Sequence, residues 1–173
     1  MAKYKPVFLV RHGDYNSDER LSNLGERQYV EFAEKFKRFC IGNRIFPIKN
    51  PKKILVFSST APRAVDSIKI LQRELGLPDP ILRNELWSDN RHSYNTEKIA
   101  FLKKTITEFL EKEDGNSEDM MIIVTHFEFV YSFCKDVGYS SDEYDCNNAE
   151  GIMILDTTNG ILVNTIENIL RNW

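Results

Sequence analysis

The sequence has few cysteines and no long apolar run, and each shortage excludes a class of protein. Its three cysteines are far apart and show no Cys-x-x-Cys spacing, which argues against a disulfide framework or a zinc site. No run approaches the roughly 18 apolar residues that a membrane helix requires. The N-terminal residues also lack the apolar core of a signal peptide. We therefore expect a cytoplasmic protein with reduced thiols and no membrane partner.

Charge and repeat content narrow the possibilities further. The chain of 173 residues has a net charge of −3, with 28% charged and 42% hydrophobic residues, which is typical of a globular protein. This acidic balance argues against nucleic acid as a partner, although a local group of arginines can still bind a small anion. Because the sequence contains no repeat, low-complexity tract or linker, residues 1–173 are expected to form a single domain.

Short apolar runs alternate with helical patterns along the chain. Residues 4–10, 54–57 and 120–124 predict buried strands, and apolar residues at helical spacing lie between them. Two more strands are predicted near the C-terminus, joined through Asn159-Gly160, which is a strong hairpin signal. The sequence thus predicts an α/β three-layer sandwich. Its central sheet should be mixed but mostly parallel, flanked by helices, with a C-terminal β-hairpin.

Each of the three buried runs is followed by polar residues. Arg11 and His12 follow the first run, two serines and then Arg63 follow the second, and Thr125-His126 follows the third. The carboxyl ends of parallel strands lie on one edge of a sheet, where ligands bind in open α/β folds. The pattern therefore predicts a site that combines two histidines with two arginines.

These residue types suit phosphoryl transfer. Guanidinium groups donate paired hydrogen bonds to phosphate oxygens, and amides at a helix N-terminus add to an anion site. A neutral imidazole can attack phosphorus in line, which makes His12 the candidate nucleophile. His126 can then donate to a phosphoryl oxygen in the transition state. The sequence has neither a P-loop nor an acidic metal cage, so we expect no cofactor and no metal.

Four segments resemble the motifs of a known family. Residues 9–13, Leu-Val-Arg-His-Gly, are similar to the Arg-His-Gly signature of the histidine phosphatase superfamily, which includes phosphoglycerate mutases. Residues 21–28, 59–67 and 124–126 resemble, in the same order, three further motifs of that superfamily. The resemblance implies a covalent phosphohistidine at one residue and a phosphoryl group held by three others: His12 as nucleophile, and Arg11, Arg63 and His126.

The resemblance also implies a carboxylic acid that protonates the leaving oxygen. Glu85 is the first candidate, because it lies between Arg63 and His126 in the chain, much as in the mutases. Asp18 is the alternative, since small phosphohistidine phosphatases place their acid in the loop after the nucleophile, and Asp14 is a weaker candidate. Three residues of this loop and the next helix are expected to lie near the substrate: Asp18, Ser22 and Gly25.

Three functions remain open at this point. Hydrolysis of a phosphomonoester or a protein phosphohistidine is favoured, because the chain has little room for the insertions that exclude water in mutases. Mutase-type phosphoryl transfer and a non-catalytic, phosphate-binding or scaffolding domain are the alternatives. In each case the partner is a phosphorylated small molecule or a phosphoprotein. Phe127 and Glu128 stand where the family usually has small residues, which is expected either to narrow the choice of substrate or to weaken anion binding.

Overall fold

Six strands and four α-helices form the part of the chain that the computed structural model describes. That part comprises residues 5–43, 53–88, 95–112, 119–138, 147–157 and 160–166, so Cys146 and Asn159 lie outside it. The elements, in chain order, are β1 (Val7–Arg11), α1 (Asn23–Asn43), β2 (Ile54–Ser59), α2 (Pro62–Leu75), β3 (Ile81–Arg83), α3 (Thr96–Glu111), β4 (Met120–Thr125), α4 (Phe127–Asp136), β5 (Gly151–Thr157) and β6 (Gly160–Thr165).

The strands form one mixed sheet in the order β3-β2-β4-β1-β5-β6. β1 and β2 both run parallel to the central strand β4, and β3 runs parallel to β2. β5 is antiparallel to β1 and forms a hairpin with β6, so the predicted fold class is confirmed. In this register Arg11 lies opposite Thr125, and Ser58 lies opposite Val124. The carboxyl ends of β1, β2 and β4 therefore meet at one edge of the sheet.

The fold has three layers, because helices cover both faces of the central sheet and an apolar cluster lies between the sheet and the helices on each face. Side chains alternate along a strand, so Phe8 and Val10 of β1 pack on the face covered by α1 and α2. Val7 and Leu9 pack on the opposite face, which is covered by α3 and α4. All four side chains are buried, and each contributes roughly 1.5–3 kcal/mol of transfer free energy. A sheet buried on both faces explains why the sequence of β1 is continuously apolar.

Residue types that are typical of helix ends lie at the start of α1, at the start of α3 and at the end of α2. The hydroxyl of Ser22 accepts from the amide of Gly25 at 3.0 Å, and the side chain of Asn95 accepts from the amide of Lys98 at 3.1 Å. Both contacts satisfy amides that have no partner within their helix. At the C-terminal end of α2, Gly76 adopts the left-handed conformation with φ of 68°, which favours glycine.

One helix begins earlier than predicted. The apolar spacing predicts a helix from Phe129, but α4 begins at Phe127, directly after His126. The difference arises because only the buried face of a helix shows periodic apolar residues, and Phe127 and Glu128 are only half-buried. The early start places the N-terminus of α4 next to the second histidine. None of the helices in the described ranges is long and apolar enough to cross a membrane.

Candidate functional site

Three polar side chains meet in the protein interior at the carboxyl edge of the sheet. His12 and His126 are fully buried and Arg63 is 1% exposed. The Nε of Arg63 donates to Nε2 of His12 at 3.1 Å, and its Nη2 donates to Nδ1 of His126 at 3.2 Å. The centroids of the two imidazole rings are 5.0 Å apart. The structure thus brings together three groups that are far apart in the sequence.

The hydrogen bonds of His12 identify which ring nitrogen has a lone pair. Its Nδ1 lies 2.7 Å from the carbonyl oxygen of Gly13, which can only accept, so Nδ1 carries the hydrogen. Nε2 then accepts from Arg63, whose guanidinium can only donate. Both contacts indicate the same tautomer of the neutral ring. Nε2 is therefore the nitrogen that is available as a nucleophile.

The same argument gives the opposite tautomer for His126. Because Arg63 can only donate, Nδ1 of His126 accepts, and Nε2 carries the hydrogen. Nε2 donates to the hydroxyl oxygen of Ser59 at 2.9 Å, and this oxygen also accepts from the amide of Ala61 at 3.2 Å. Ser59 lies at the end of β2, so the strand that carries it also orients the second histidine.

Burial keeps both imidazoles neutral. Loss of hydration lowers the pKa of His12 to about 3, aided by the positive charge of Arg63 and opposed by the hydrogen bond to Gly13. Burial likewise lowers the pKa of His126 to about 2, with further contributions from His12 and Arg63. The nucleophile candidate therefore does not need to lose a proton at neutral pH.

Arg63 contacts acceptors with all three of its nitrogens. Besides the two histidines, its Nη2 donates to the carbonyl of Ser88 at 2.8 Å, and its Nη1 lies 3.6 Å from a carboxylate oxygen of Glu19. The guanidinium carbon also lies 4.6 Å from the ring centroid of Tyr15. A buried guanidinium requires such contacts, because an unpaired buried charge is strongly unfavourable.

Arg11 is the second arginine of the candidate site, and other parts of the chain hold it in place. The backbone amide of Arg11 donates to the carbonyl of Glu150 at 2.8 Å, and its carbonyl accepts from the hydroxyl of Tyr29 at 2.7 Å. Its guanidinium carbon lies 5.6 Å from the ring centroid of Phe127, in the first turn of α4. The aromatic residue after the second histidine therefore packs beside an arginine of the candidate site.

Ser22 and Gly25 support the loop that follows His12. The hydroxyl of Ser22 donates to the carboxylate of Asp14 while it caps α1. A Cβ atom on Gly25 would lie 2.0 Å from the carbonyl oxygen of Asp14, so only glycine permits this close approach of two backbone segments. A contact of either residue with substrate stays a prediction.

Two of the three predicted acids lie on the protein surface, whereas Asp14 is half-buried and accepts from the hydroxyl of Ser22. Asp18 is exposed, and its carboxylate accepts from the amide of Arg20, two residues later in the same turn. Glu85 is exposed and lies in a short 3-10 turn that follows β3. Together with Asn95 and Lys98, it borders a cavity of about 390 Å³. Within the described residues, neither carboxylate forms an ion pair with Arg63, whereas Glu19 does.

Sequence reasoning missed Glu19 and Tyr15, because no motif or periodicity distinguishes them from other residues of a polar loop. Both contact Arg63, and the ring of Tyr15 also packs edge-on against His12 with centroids 5.3 Å apart. Among the described residues, no group of three or more His, Cys, Asp and Glu side chains is placed to hold a metal ion. Among the described residues, the positive charges that act on the two histidines are Arg11 and Arg63, together with Lys98 at His126.

Comparison with solved structures shows which fold this is. No protein-family model matches the chain, and no curated protein matches it. A phosphoglycerate mutase from Bacillus anthracis is similar, with a TM-score of 0.67, 12% identity and coverage of 98% of this chain and 96% of that one. The chain has the fold of the phosphoglycerate mutase-like histidine phosphatases.

Two phosphatases have the same histidine phosphatase fold. The mycobacterial glucosyl-3-phosphoglycerate phosphatase aligns with a TM-score of 0.60 and 15% identity, covering 94% of this chain and 97% of its own. An Agrobacterium tumefaciens protein assigned as the phosphohistidine phosphatase SixA aligns with a TM-score of 0.58 and 15% identity. It covers 94% of this chain and 95% of its own. The histidine phosphatase fold therefore accounts for nearly the whole chain.

The two buried histidines should make the protein sensitive to mild acid. Unfolded histidine titrates near 6.5, and both folded pKa values lie well below this, so the unfolded chain binds more protons as the pH falls through 6.5. At about pH 5.5 the free energy of unfolding should be lower than at about pH 7.5 by roughly 1.4 kcal/mol for each histidine. Urea unfolding at the two pH values measures this difference.

The matched control for acid sensitivity is the double variant His12→Asn/His126→Asn, which retains every carboxylate. Its loss of stability between the two pH values should be smaller than that of the wild type by the contribution of both histidines. Each single variant should show about half of this reduction. An unchanged pH dependence in the variants would show that the histidines are not neutral and buried.

Substitution of Gly25 should displace the loop that carries His12. In Gly25→Ala the new methyl group meets backbone rather than a flexible side chain, so we expect a loss of several kcal/mol, at least about 2 kcal/mol. Gly138→Ala is the control, because its Cβ meets nothing within 4 Å and only its φ of 74° is unfavourable, at roughly 1–2 kcal/mol. Urea unfolding compares the two variants, and equal losses would contradict the close approach at Gly25.

Proposed function

We propose that the protein is a metal-independent phosphatase that acts through a covalent phosphohistidine on His12. The observation that carries this proposal is the contact between Nε2 of His12 and the guanidinium of Arg63 at 3.1 Å. A neutral nucleophile and a group that binds phosphate oxygens are thus within hydrogen-bond distance of each other. The substrate would be a phosphomonoester or a protein phosphohistidine.

In the first step, Nε2 of His12 attacks phosphorus and the bond from phosphorus to the leaving group breaks. Arg63 exchanges its contacts with the imidazole nitrogens for contacts with phosphoryl oxygens, and Arg11 binds from the side of α4. A phosphoryl dianion beside His126 favours the protonated ring, which then donates from Nδ1. In the second step, water attacks phosphorus, the bond from phosphorus to Nε2 breaks and inorganic phosphate leaves.

Access of water favours hydrolysis over transfer to a second substrate. Two residues in contact with Arg63 are themselves open to solvent, since the Glu19 side chain is 50% exposed and Tyr15 is 36% exposed. A mutase must exclude water from its phosphorylated intermediate. The comparison proteins include both a mutase and phosphatases, so this exposure, rather than the fold, is what separates the two functions.

Turnover of p-nitrophenyl phosphate tests the proposal. We expect hydrolysis by the wild type and a loss of at least about 10³-fold in His12→Ala, because the covalent route is removed. Added imidazole should restore part of the activity of His12→Ala, since it can occupy the space of the deleted ring. The wild type should also retain a phosphoryl label that is released by acid and stable to base, as phosphohistidine is.

Three other results would redirect the assignment. Full activity of His12→Ala would exclude His12 as nucleophile. Interconversion of phosphoglycerates without net release of phosphate would identify a mutase. A wild type that binds phosphate but turns over neither aryl phosphates nor phosphohistidine peptides would be a phosphate-binding domain.

A further inference from the structure

Glu19 is a carboxylate at the boundary between the buried site and solvent. One of its oxygens lies 3.6 Å from Nη1 of Arg63, and the exposed fractions of the two side chains are 50% and 2%. Arg63 in turn contacts Nε2 of the proposed nucleophile, His12. A phosphoryl group bound to Arg63 would thus have Glu19 on its solvent side, where a leaving group must depart.

The turn that carries Glu19 is fixed in place rather than loosely attached. The amide of Glu19 donates to the carbonyl of Asn16 at 3.0 Å, and the amide of Asn16 donates to the carbonyl of Arg20 at 2.9 Å. Arg20 also forms an ion pair of 2.8 Å with Asp66 of α2, the helix that carries Arg63. These contacts connect the turn to α2, and they therefore hold the carboxylate of Glu19 close to the guanidinium of Arg63.

The backbone of Glu19 is in an unfavourable conformation. Its φ of 63° lies in the left-handed region, which a non-glycine residue adopts at a cost of roughly 1–2 kcal/mol. Asparagine, aspartate and glycine are the usual residues in this conformation, and glutamate is not. Strain of this kind is common at functional sites, and here it accompanies a side chain that reaches Arg63.

We propose that Glu19 is the proton donor to the leaving group, an inference that rests on the proposed phosphatase function. In the substrate complex, Arg63 contacts phosphoryl oxygens instead of Glu19, and the released carboxylate takes a proton from solvent. As Nε2 of His12 bonds to phosphorus and the P–O bond breaks, the Glu19 carboxylic acid transfers this proton to the departing oxygen. The resulting carboxylate then takes a proton from the water that attacks the phosphohistidine, which restores the acid. The carboxyl group of Glu19 thus gives up one proton and regains one, so that it is again an acid when inorganic phosphate leaves.

The leaving group distinguishes an acid from a residue that only shapes the site. Phenyl phosphate and p-nitrophenyl phosphate have similar shapes, but phenolate is much more basic than nitrophenolate and needs the proton far more. In Glu19→Gln we expect kcat/KM for phenyl phosphate to fall by roughly 10²-fold or more. For p-nitrophenyl phosphate the expected loss is less than about threefold, since that leaving group departs unprotonated.

Three variants complete the design. Glu108→Gln removes an exposed carboxylate on α3 and should affect neither ester. Asp18→Asn and Glu85→Gln are measured with the same two esters. A leaving-group-dependent loss in either of these, with none in Glu19→Gln, would overturn the proposal and transfer the role to that residue.

The remaining outcomes separate this proposal from the function on which it rests. Equal losses for both esters in Glu19→Gln would show a positioning role through Arg63 and overturn the acid role, while phosphohistidine formation on His12 would still support a phosphatase. A wild type that hydrolyses neither ester and forms no phosphohistidine would instead refute the proposed function itself. A selective loss for phenyl phosphate in Glu19→Gln, together with retained labelling of His12 from p-nitrophenyl phosphate, is the result that supports both.

Discussion

The buried guanidinium of Arg63 is the group on which the arrangement of the site depends. It joins the two imidazoles, the carbonyl of Ser88 and the carboxylate of Glu19, which come from three separate parts of the chain. The hydrogen bonds to the imidazoles and to Ser88 satisfy donors that would otherwise be buried without a partner, at roughly 1–3 kcal/mol for each one lost. The same contacts hold the two imidazole rings beside each other, with centroids 5.0 Å apart.

Neutral histidines explain how two imidazoles and two arginines can lie side by side in a stable fold. Two charged imidazoles beside two arginines would place several like charges in the protein interior, which is strongly unfavourable. Burial instead lowers the pKa values of His12 and His126, so both rings act as acceptors for Arg63. The carboxylate of Glu19 compensates part of the charge of Arg63 from the solvent side.

The sequence predicted the layout of the sheet and the meeting of His12, Arg63 and His126, because both depend on local patterns. Continuous apolar runs indicated β1, β2 and β4, and polar residues at their ends indicated which side chains meet at one edge of the sheet. The tautomers of His12 and His126 could not be predicted, since they depend on hydrogen bonds between distant segments. The same is true of Glu19, whose contact with Arg63 arises from the path of a loop.

Gly25 shows a second limit of sequence reasoning. A glycine in the first turn of a helix indicates a close approach, but it does not indicate whether ligand or backbone approaches. The structure shows backbone, because the carbonyl of Asp14 occupies the space of the missing side chain. The loop that follows His12 thereby packs directly on α1. This contact restricts the position of His12, the nucleophile candidate.

Aromatic rings beside both arginines help to hold the guanidinium groups of the candidate site. Tyr15 lies next to Arg63, and Phe127 lies next to Arg11. A ring contacts the guanidinium by its π face and stabilises the charge by roughly 0.5–2 kcal/mol without accepting in the manner of a carboxylate. Such contacts hold each guanidinium by its face, and Arg63 also forms an ion pair with Glu19. Phe127, which stands where the resembling family has small residues, therefore packs against Arg11 instead of displacing it from this edge of the sheet.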